Sequence, residues 1–301
     1  MSTGALLAAL TMLIFVSPAG AAPRPQLDPE TPVSSTGVVG ALARTAPATW
    51  EPHRRGTGPA PATATVQAPA QGPGMGIDSI IGSDDRWPVN STTAFPHSAV
   101  VQITRNGNAH CTGWLYGANV VATAGHCVHS GGSGGTWYTS GLQIWPGRAG
   151  ASAPYGSCGV LSLHSVVGWT TNANEAYDYG VIKLNCSIGN STGWFGYWWQ
   201  SASVDDYVIR ICGYPGDKPS TQWCSDGKVG VDSAEQVFYA NDTVGGMSGS
   251  PVHQYRANCG WCSMGIHAYG VHGGSFWHAI YNHGTRITEA KFNNLWNWKN
   301  S

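Results

Sequence analysis

Three short stretches hold side chains that could act together on one bond. "VVATAGHCV" places His126 directly after a β-rich run, beside Cys127. "NEAYDYGVIKL" places Asp178 just ahead of an apolar run. "DTVGGMSGSPV", from Asp242 to Val252, carries two serines among three glycines. Taken singly, each has a bland reading. A Gly/Ser stretch is most often a turn or linker. A lone histidine can equally be a satisfied structural one, and a lone aspartate before a strand is commonly a turn residue. Together they meet the needs of nucleophilic catalysis. A serine nucleophile requires an exposed hydroxyl, a base within hydrogen-bond reach and backbone N–H groups aimed at the developing oxyanion. Glycines let the backbone turn so that such N–H groups converge. This points to Ser248 as nucleophile, with the N–H groups of Gly246 and Ser248 as oxyanion donors. Ser250 reads as a neighbour that packs or caps the turn. His126 would be the base, and Asp178 the carboxylate that fixes its tautomer and stabilises the imidazolium.

The elements that must position these residues read as strands. "AVVQITR", "HCTGWLYG", "NVVATAG", "YGVIKL", "DYVIRICGYPG", "QVFYA", "SPVHQY" and "SMGIHAYGV" recur between Gly, Asn, Asp and Ser. About ten such runs after residue 78 suit an all-β domain of antiparallel barrels or sandwiches. The order His, Asp, Ser is one of three known for this constellation, the one found on two-barrel proteases. The tail "ITEAKFNNLWNWKNS" predicts a C-terminal α-helix with Ile287, Phe292, Leu295 and Trp298 on one face.

Composition narrows the partners. Charged residues are 10% of the chain and the net charge is -1. That argues against nucleic acid or an anionic membrane as partner. "ALLAALTMLIFV" followed by "AGAA" reads as a signal peptide over residues 1–21, too short to span a bilayer. Residues 22–78 hold no cysteine and much Pro, Ala, Gly and Thr. They are expected to be a largely disordered propeptide or spacer, with the compact domain over 79–301. All eight cysteines lie between Cys111 and Cys262, which in a secreted chain suggests four disulfides. Two adjacent strands could join Cys111 to Cys127 and pin the histidine loop.

From Ser79 onward the chain resembles the glutamyl endopeptidases, secreted chymotrypsin-fold serine proteases. The matching stretches are "SIIGSDDR", "CTGWLYG", "ATAGHC", "YDYGVIKL", "GYPGDK", "DTVGGMSGSPV", "GGS" and "GTRIT". The resemblance implies two six-stranded antiparallel β-barrels with the site between them, His126, Asp178 and Ser248 as the triad, and a mature start at Ser79. The "GIHAYG" strand would line the primary pocket with His267, Ala268 and Gly270, and Thr243 would face them. His267 and Thr243 can donate hydrogen bonds to a substrate carboxylate, so cleavage after Glu is expected, with Asp slower. Two alternatives stay open. Asp242 lies where trypsin-like enzymes hold the aspartate that selects Lys and Arg. An inactive relative could instead bind peptides or glycans in the same cleft. Met247 precedes the nucleophile, so the aspartate that pairs with a new N-terminus in pancreatic-type relatives is missing.

The remaining cysteines are expected to pair as Cys212–Cys224 across a hairpin, Cys158–Cys186 across the first barrel and Cys259–Cys262 within "CGWC". A redox motif there would need a βαβ unit and a zinc site a second ligand pair. "GWFGYWWQ" is expected to pack the connection between barrels, although it could also stack on sugars. No metal and no cofactor are expected. Partners would be protein or peptide substrates, acting on a monomer outside the cell.

Overall fold

The computed structural model describes residues 27–37, 44–56, 64–67 and 79–301. The expected signal peptide lies outside the described residues. The short β-rich runs form two sets of six strands. The first set is β1 (Val100–Arg105), β2 (Asn108–Gly117), β3 (Val120–Thr123), β4 (Leu142–Pro146), β5 (Val160–Val166) and β6 (Gly180–Leu184). Asn106 and Gly107, both at positive φ, make the tight β1–β2 turn, as an Asn-Gly pair between two strands predicts. The strands lie side by side as β5–β6–β3–β2–β1–β4, all antiparallel. Beyond β4, Ile144 bridges Cys158, and the Cys158–Cys186 disulfide ties that seam to the end of β6.

The second set is β7 (Val208–Gly213), β8 (Trp223–Asp232), β9 (Gln236–Tyr239), β10 (Pro251–Arg256), β11 (Gly260–Tyr269) and β12 (Asn282–Arg286). Its order is β10–β7–β8–β9–β12–β11, and β10 also pairs with β11, which closes the ring. Numbered within each barrel, the two orders are the same. Ile103, Leu115, Val121, Leu163 and Ile182 fill the first core. Ile209, Ile211, Val229, Val237 and Met264 fill the second. Each such side chain contributes roughly 1.5–3 kcal/mol when fully buried.

The aromatic cluster between the barrels packs as expected. Phe195 meets Trp114 at 6.0 Å, and Tyr197 lies between Tyr116 (5.5 Å) and Phe292 (4.8 Å). Two helices matter below: α1 (Phe276–Ile280) and the C-terminal α2 (Glu289–Asn300). Thr288 caps α2, its hydroxyl accepting from the Lys291 N–H. Phe292, Leu295 and Trp298 are buried on one face, with Ile287 buried just ahead of it. Among the described residues no helix is long and apolar enough to cross a membrane. The four disulfides are Cys111–Cys127, Cys158–Cys186, Cys212–Cys224 and Cys259–Cys262, the pairs expected above.

The described parts of residues 22–78 pair with the rest of the chain. Pro32–Ser34 adds antiparallel to the edge of β5. Trp50–Glu51 pairs with Gly196–Trp198, Arg54–Arg55 with Gly193–Trp194, and Ala64–Thr65 with Ser152–Ala153. Glu30 accepts from the Tyr179 hydroxyl at 2.5 Å and meets the buried Lys291 ammonium at 3.0 Å. Composition measures what a segment can bury by itself. Here the partners are open strand edges and a buried cation belonging to the rest of the chain.

Candidate active site

β3 ends in a 3₁₀ turn, Gly125–Cys127, that carries His126. A second 3₁₀ turn, Glu175–Tyr177, runs into Asp178 just before β6. β3 and β6 are hydrogen-bonded neighbours, with Gly180 opposite Thr123, so the two turns lie side by side. The result is a doubly bonded pair. His126 Nδ1 lies 2.7 Å from Asp178 Oδ2, and the His126 backbone N–H donates to Oδ1 at 2.7 Å. Asp178 is fully buried, while the His126 side chain keeps 28% exposure. Burial opposes the charged imidazole. The Asp178 charge and hydrogen bond outweigh it and hold His126 above the usual histidine pKa.

Ser248 sits on the loop that leads into β10. Gly249 has φ +90°, and a Cβ there would come 2.1 Å from the Thr112 carbonyl oxygen, so only glycine fits. The loop is held by its own bonds: Met247 N–H to Val244 O, Gly249 N–H to His267 O and Ser250 N–H to Met247 O. Among the described residues no protein acceptor takes the N–H of Gly246 or of Ser248. β2 braces the loop from the other barrel. Thr112 donates its N–H to Ser248 O at 2.9 Å and its hydroxyl to Gly246 O at 2.8 Å. The Ser248 hydroxyl donates to Ala268 O at 3.2 Å. Ser250 is fully buried and does not line the cleft.

A cleft of about 650 Å³ runs between the barrels, and its walls include His126, Thr243, Gly246, Ser248, His267, Ala268 and Gly270. Of the residues expected to form the triad and a glutamate pocket, all but Asp178, which is buried behind His126, line this one space. Ser79 is there too. Its N–H donates to Thr243 O at 3.1 Å, and its hydroxyl fills the place a Cβ at Gly270 would need. His267, on β11, is buried, and its Nδ1 lies 2.8 Å from the Tyr239 hydroxyl. Burial first, and then the neighbouring His283 and His126, push its pKa down to about 3. It is neutral at ordinary pH.

Asp242 is elsewhere. Its carboxylate accepts from the N–H groups of Ile81 at 2.7 Å and Asp85 at 2.9 Å, it is 1% exposed, and it does not line the cleft. The trypsin-like alternative fails on this geometry, because the carboxylate is spent on backbone and cannot receive a substrate cation. Sequence reasoning missed Thr112, Tyr239 and the ring cluster Glu175, His272, His278 and His283. Only the spacing of the three histidines in "HGGSFWHAIYNHG" hinted at the last.

Two equivalent six-strand barrels with a histidine–aspartate pair on one and a glycine-flanked serine on the other define the double-barrel serine endopeptidases. Comparison with known proteins agrees. The trypsin family model matches residues 88–275. A glutamyl endopeptidase of Bacillus licheniformis is 45% identical over 79% of this chain and 74% of its own length. A Bacillus subtilis protein called an extracellular metalloprotease is 40% identical over 74% of this chain and 70% of its own. A solved structure of a Glu endopeptidase superposes with a TM-score of 0.64 at 27% identity, covering 74% of this chain and all of that one. The chain belongs to the trypsin family, on its glutamyl endopeptidase branch, and is a serine endopeptidase acting on protein or peptide substrates.

Proposed function

We propose that the chain is secreted and cleaves peptide bonds after Glu, and after Asp more slowly, through Ser248, His126 and Asp178. The Ser248 hydroxyl leaves Ala268 O when substrate enters and gives its proton to His126 Nε2 as Oγ attacks the scissile carbonyl carbon. The N–H groups of Gly246 and Ser248, which have no protein acceptor among the described residues, receive the oxyanion. As the tetrahedral intermediate collapses, the C–N bond breaks and the imidazolium protonates the leaving amine. Water then repeats the sequence on the acyl-enzyme and frees a peptide ending in Glu. Asp178 holds the ring in place and stabilises the imidazolium.

The specificity reading rests on one observation: His267 and Thr243 line the cleft together with Ser248, while the Asp242 carboxylate does not. Tyr239 can donate to His267 Nδ1, which leaves Nε2–H as a donor for a substrate carboxylate. Thr243, which also lines the cleft, can donate from its hydroxyl. An apolar or basic side chain would leave these buried donors unpaired. Ser79 beside Thr243 supports a mature N-terminus at the pocket wall. The test uses two peptides differing only in Glu or Lys before the scissile bond, given to wild type and His267→Ala. A Lys preference, or a Glu preference that survives the mutation intact, refutes the assignment.

A further inference from the structure

Outside the triad, four side chains converge in one cluster, of which Glu175 and His272 line the cleft. Glu175 comes from the turn ahead of Asp178, His272 from the loop after β11, His278 from α1 and His283 from β12. Their candidate ligand atoms all lie within 4.8 Å of one another. Three imidazole Nε2 atoms surround a single carboxylate oxygen, Glu175 Oε2, at 3.4 Å (His272), 3.8 Å (His278) and 3.6 Å (His283). A hydrogen bond would draw one N–H in to about 2.7–3.2 Å. Instead all three rings stand off at similar distances, as ligands do around a shared centre. A tetrahedral Zn²⁺ with bonds of about 2.0–2.1 Å separates its ligand atoms by roughly 3.3 Å.

The tautomers point the same way. His272 Nδ1 faces the Gly273 carbonyl oxygen at 2.5 Å, and a carbonyl only accepts, so Nδ1 carries the proton. The Nε2 lone pair is then left facing the carboxylate. His278 Nδ1 is held by the Ser275 hydroxyl at 2.6 Å. Such an outer partner on the far ring nitrogen is the usual support for a metal-bound histidine. Among the described residues, His272 Nε2 and His283 Nε2 are buried with no hydrogen-bond partner. Buried nitrogens of that kind are costly unless something else satisfies them. Phe238 and Tyr269 stack on His283, at 5.3 and 5.1 Å, and fix its plane. The two other His/Cys groupings among the described residues do not compete, since their cysteines are all in disulfides.

We propose that Glu175, His272, His278 and His283 form a binding site for a late first-row divalent cation, Zn²⁺ in the first instance. Three imidazoles and one carboxylate suit Zn²⁺ rather than Ca²⁺, which takes oxygen ligands. Four protein ligands close the tetrahedron and leave no open position, so the ion is structural. It ties the first-barrel turn that leads into Asp178 to the second-barrel segment that follows the pocket strand. The inference stands apart from the peptide specificity proposed above.

The test is calorimetric titration of chelator-stripped full-length protein with Zn²⁺, together with the visible spectrum of the Co²⁺ form. One ion per chain, a tetrahedral Co²⁺ spectrum and a raised Tm are expected. His272→Gln, His278→Gln and Glu175→Gln should each weaken binding by about 100-fold or more, the upper end of what even outer-shell changes cost, and abolish the Tm rise. Glu175→Gln keeps the shape of the side chain, so it remains informative if a histidine variant fails to fold. No binding by the wild type, or binding unchanged in Glu175→Gln, overturns the proposal.

Discussion

His126 and His267 face one cleft from opposite barrels, and their surroundings push them in opposite directions. His126 shares two 2.7 Å hydrogen bonds with a buried carboxylate, which raises its pKa. His267 has a phenol for a partner, and burial, with His283 and His126 nearby, pushes its pKa down to about 3. The same side chain thus serves on one wall as a base able to hold a proton and on the other as a neutral hydrogen-bonding group. Protein context alone makes the difference: a charge partner in one case, desolvation in the other.

The largest way to break this comparison is to remove the base or its nucleophile. Ser248→Ala and His126→Ala should each lower kcat by about 10⁶-fold, with the double variant little worse, if they act as a unit. Ser250→Ala should leave turnover nearly intact, measured on the same peptide. Comparable losses from both serine variants would place the nucleophile wrongly.

Taking away only the charge of the partner is the next step. Asp178→Asn should cost about 10⁴-fold in kcat by presenting the wrong tautomer. It should also move the acid limb of the residual pH–rate profile downward, because the attraction that raises the His126 pKa is gone. An unshifted limb would mean that another group sets the pKa.

On the opposite wall the effects are smaller. His267→Ala should reduce kcat/KM for the Glu peptide by roughly 10–100-fold, the worth of a hydrogen bond to a charged group of about 1.5–3 kcal/mol. Tyr239→Phe leaves the ring in place but removes the hydroxyl that sets the His267 tautomer. We expect about a tenfold loss, seen for the Glu peptide and not for the slow cleavage of others.

Stability against pH sharpens the same contrast. His267 and His253 are held down to about 3, and His110 and His164 to about 4, each chiefly by burial. Below pH 6.5 the unfolded chain protonates these groups while the folded chain does not, so stability falls as pH drops from about 6.5 toward 4. His126 works in the other direction, its contribution being lost as pH rises through its raised pKa. The four lowered groups outnumber it, so Tm should fall steadily between pH 7 and pH 4.5. A flat or rising Tm over that range would contradict the burial argument.

Much of the machinery is local and could be read along the chain. A nucleophile loop that must turn tightly needs its glycines next to the serine, and Gly246 and Gly249 stand on either side of Ser248. Short β-rich runs bounded by Gly, Asn, Asp and Ser mark the strands, and the Asn106–Gly107 turn carries its own signature. The neighbouring β3 and β6 then bring His126 and Asp178 together. What could not be read depends on which distant segments meet. Asp242 has the position of a cation-binding residue, yet the 81–85 backbone folds over it and takes both carboxylate oxygens. Thr112 braces the nucleophile loop only because β2 passes beneath it. Pro32–Ser34 is a strand because an open edge of β5 accepts it, and Glu30 is ordered because Lys291 is buried where it reaches. Glu175 joins three histidines from about a hundred residues downstream only where the two barrels abut. Local propensity and spacing decide turns and periods. Charge state, hydrogen-bond partners and ligand sets arise from contacts between segments far apart in the chain, and those exist only once the barrels are closed and packed.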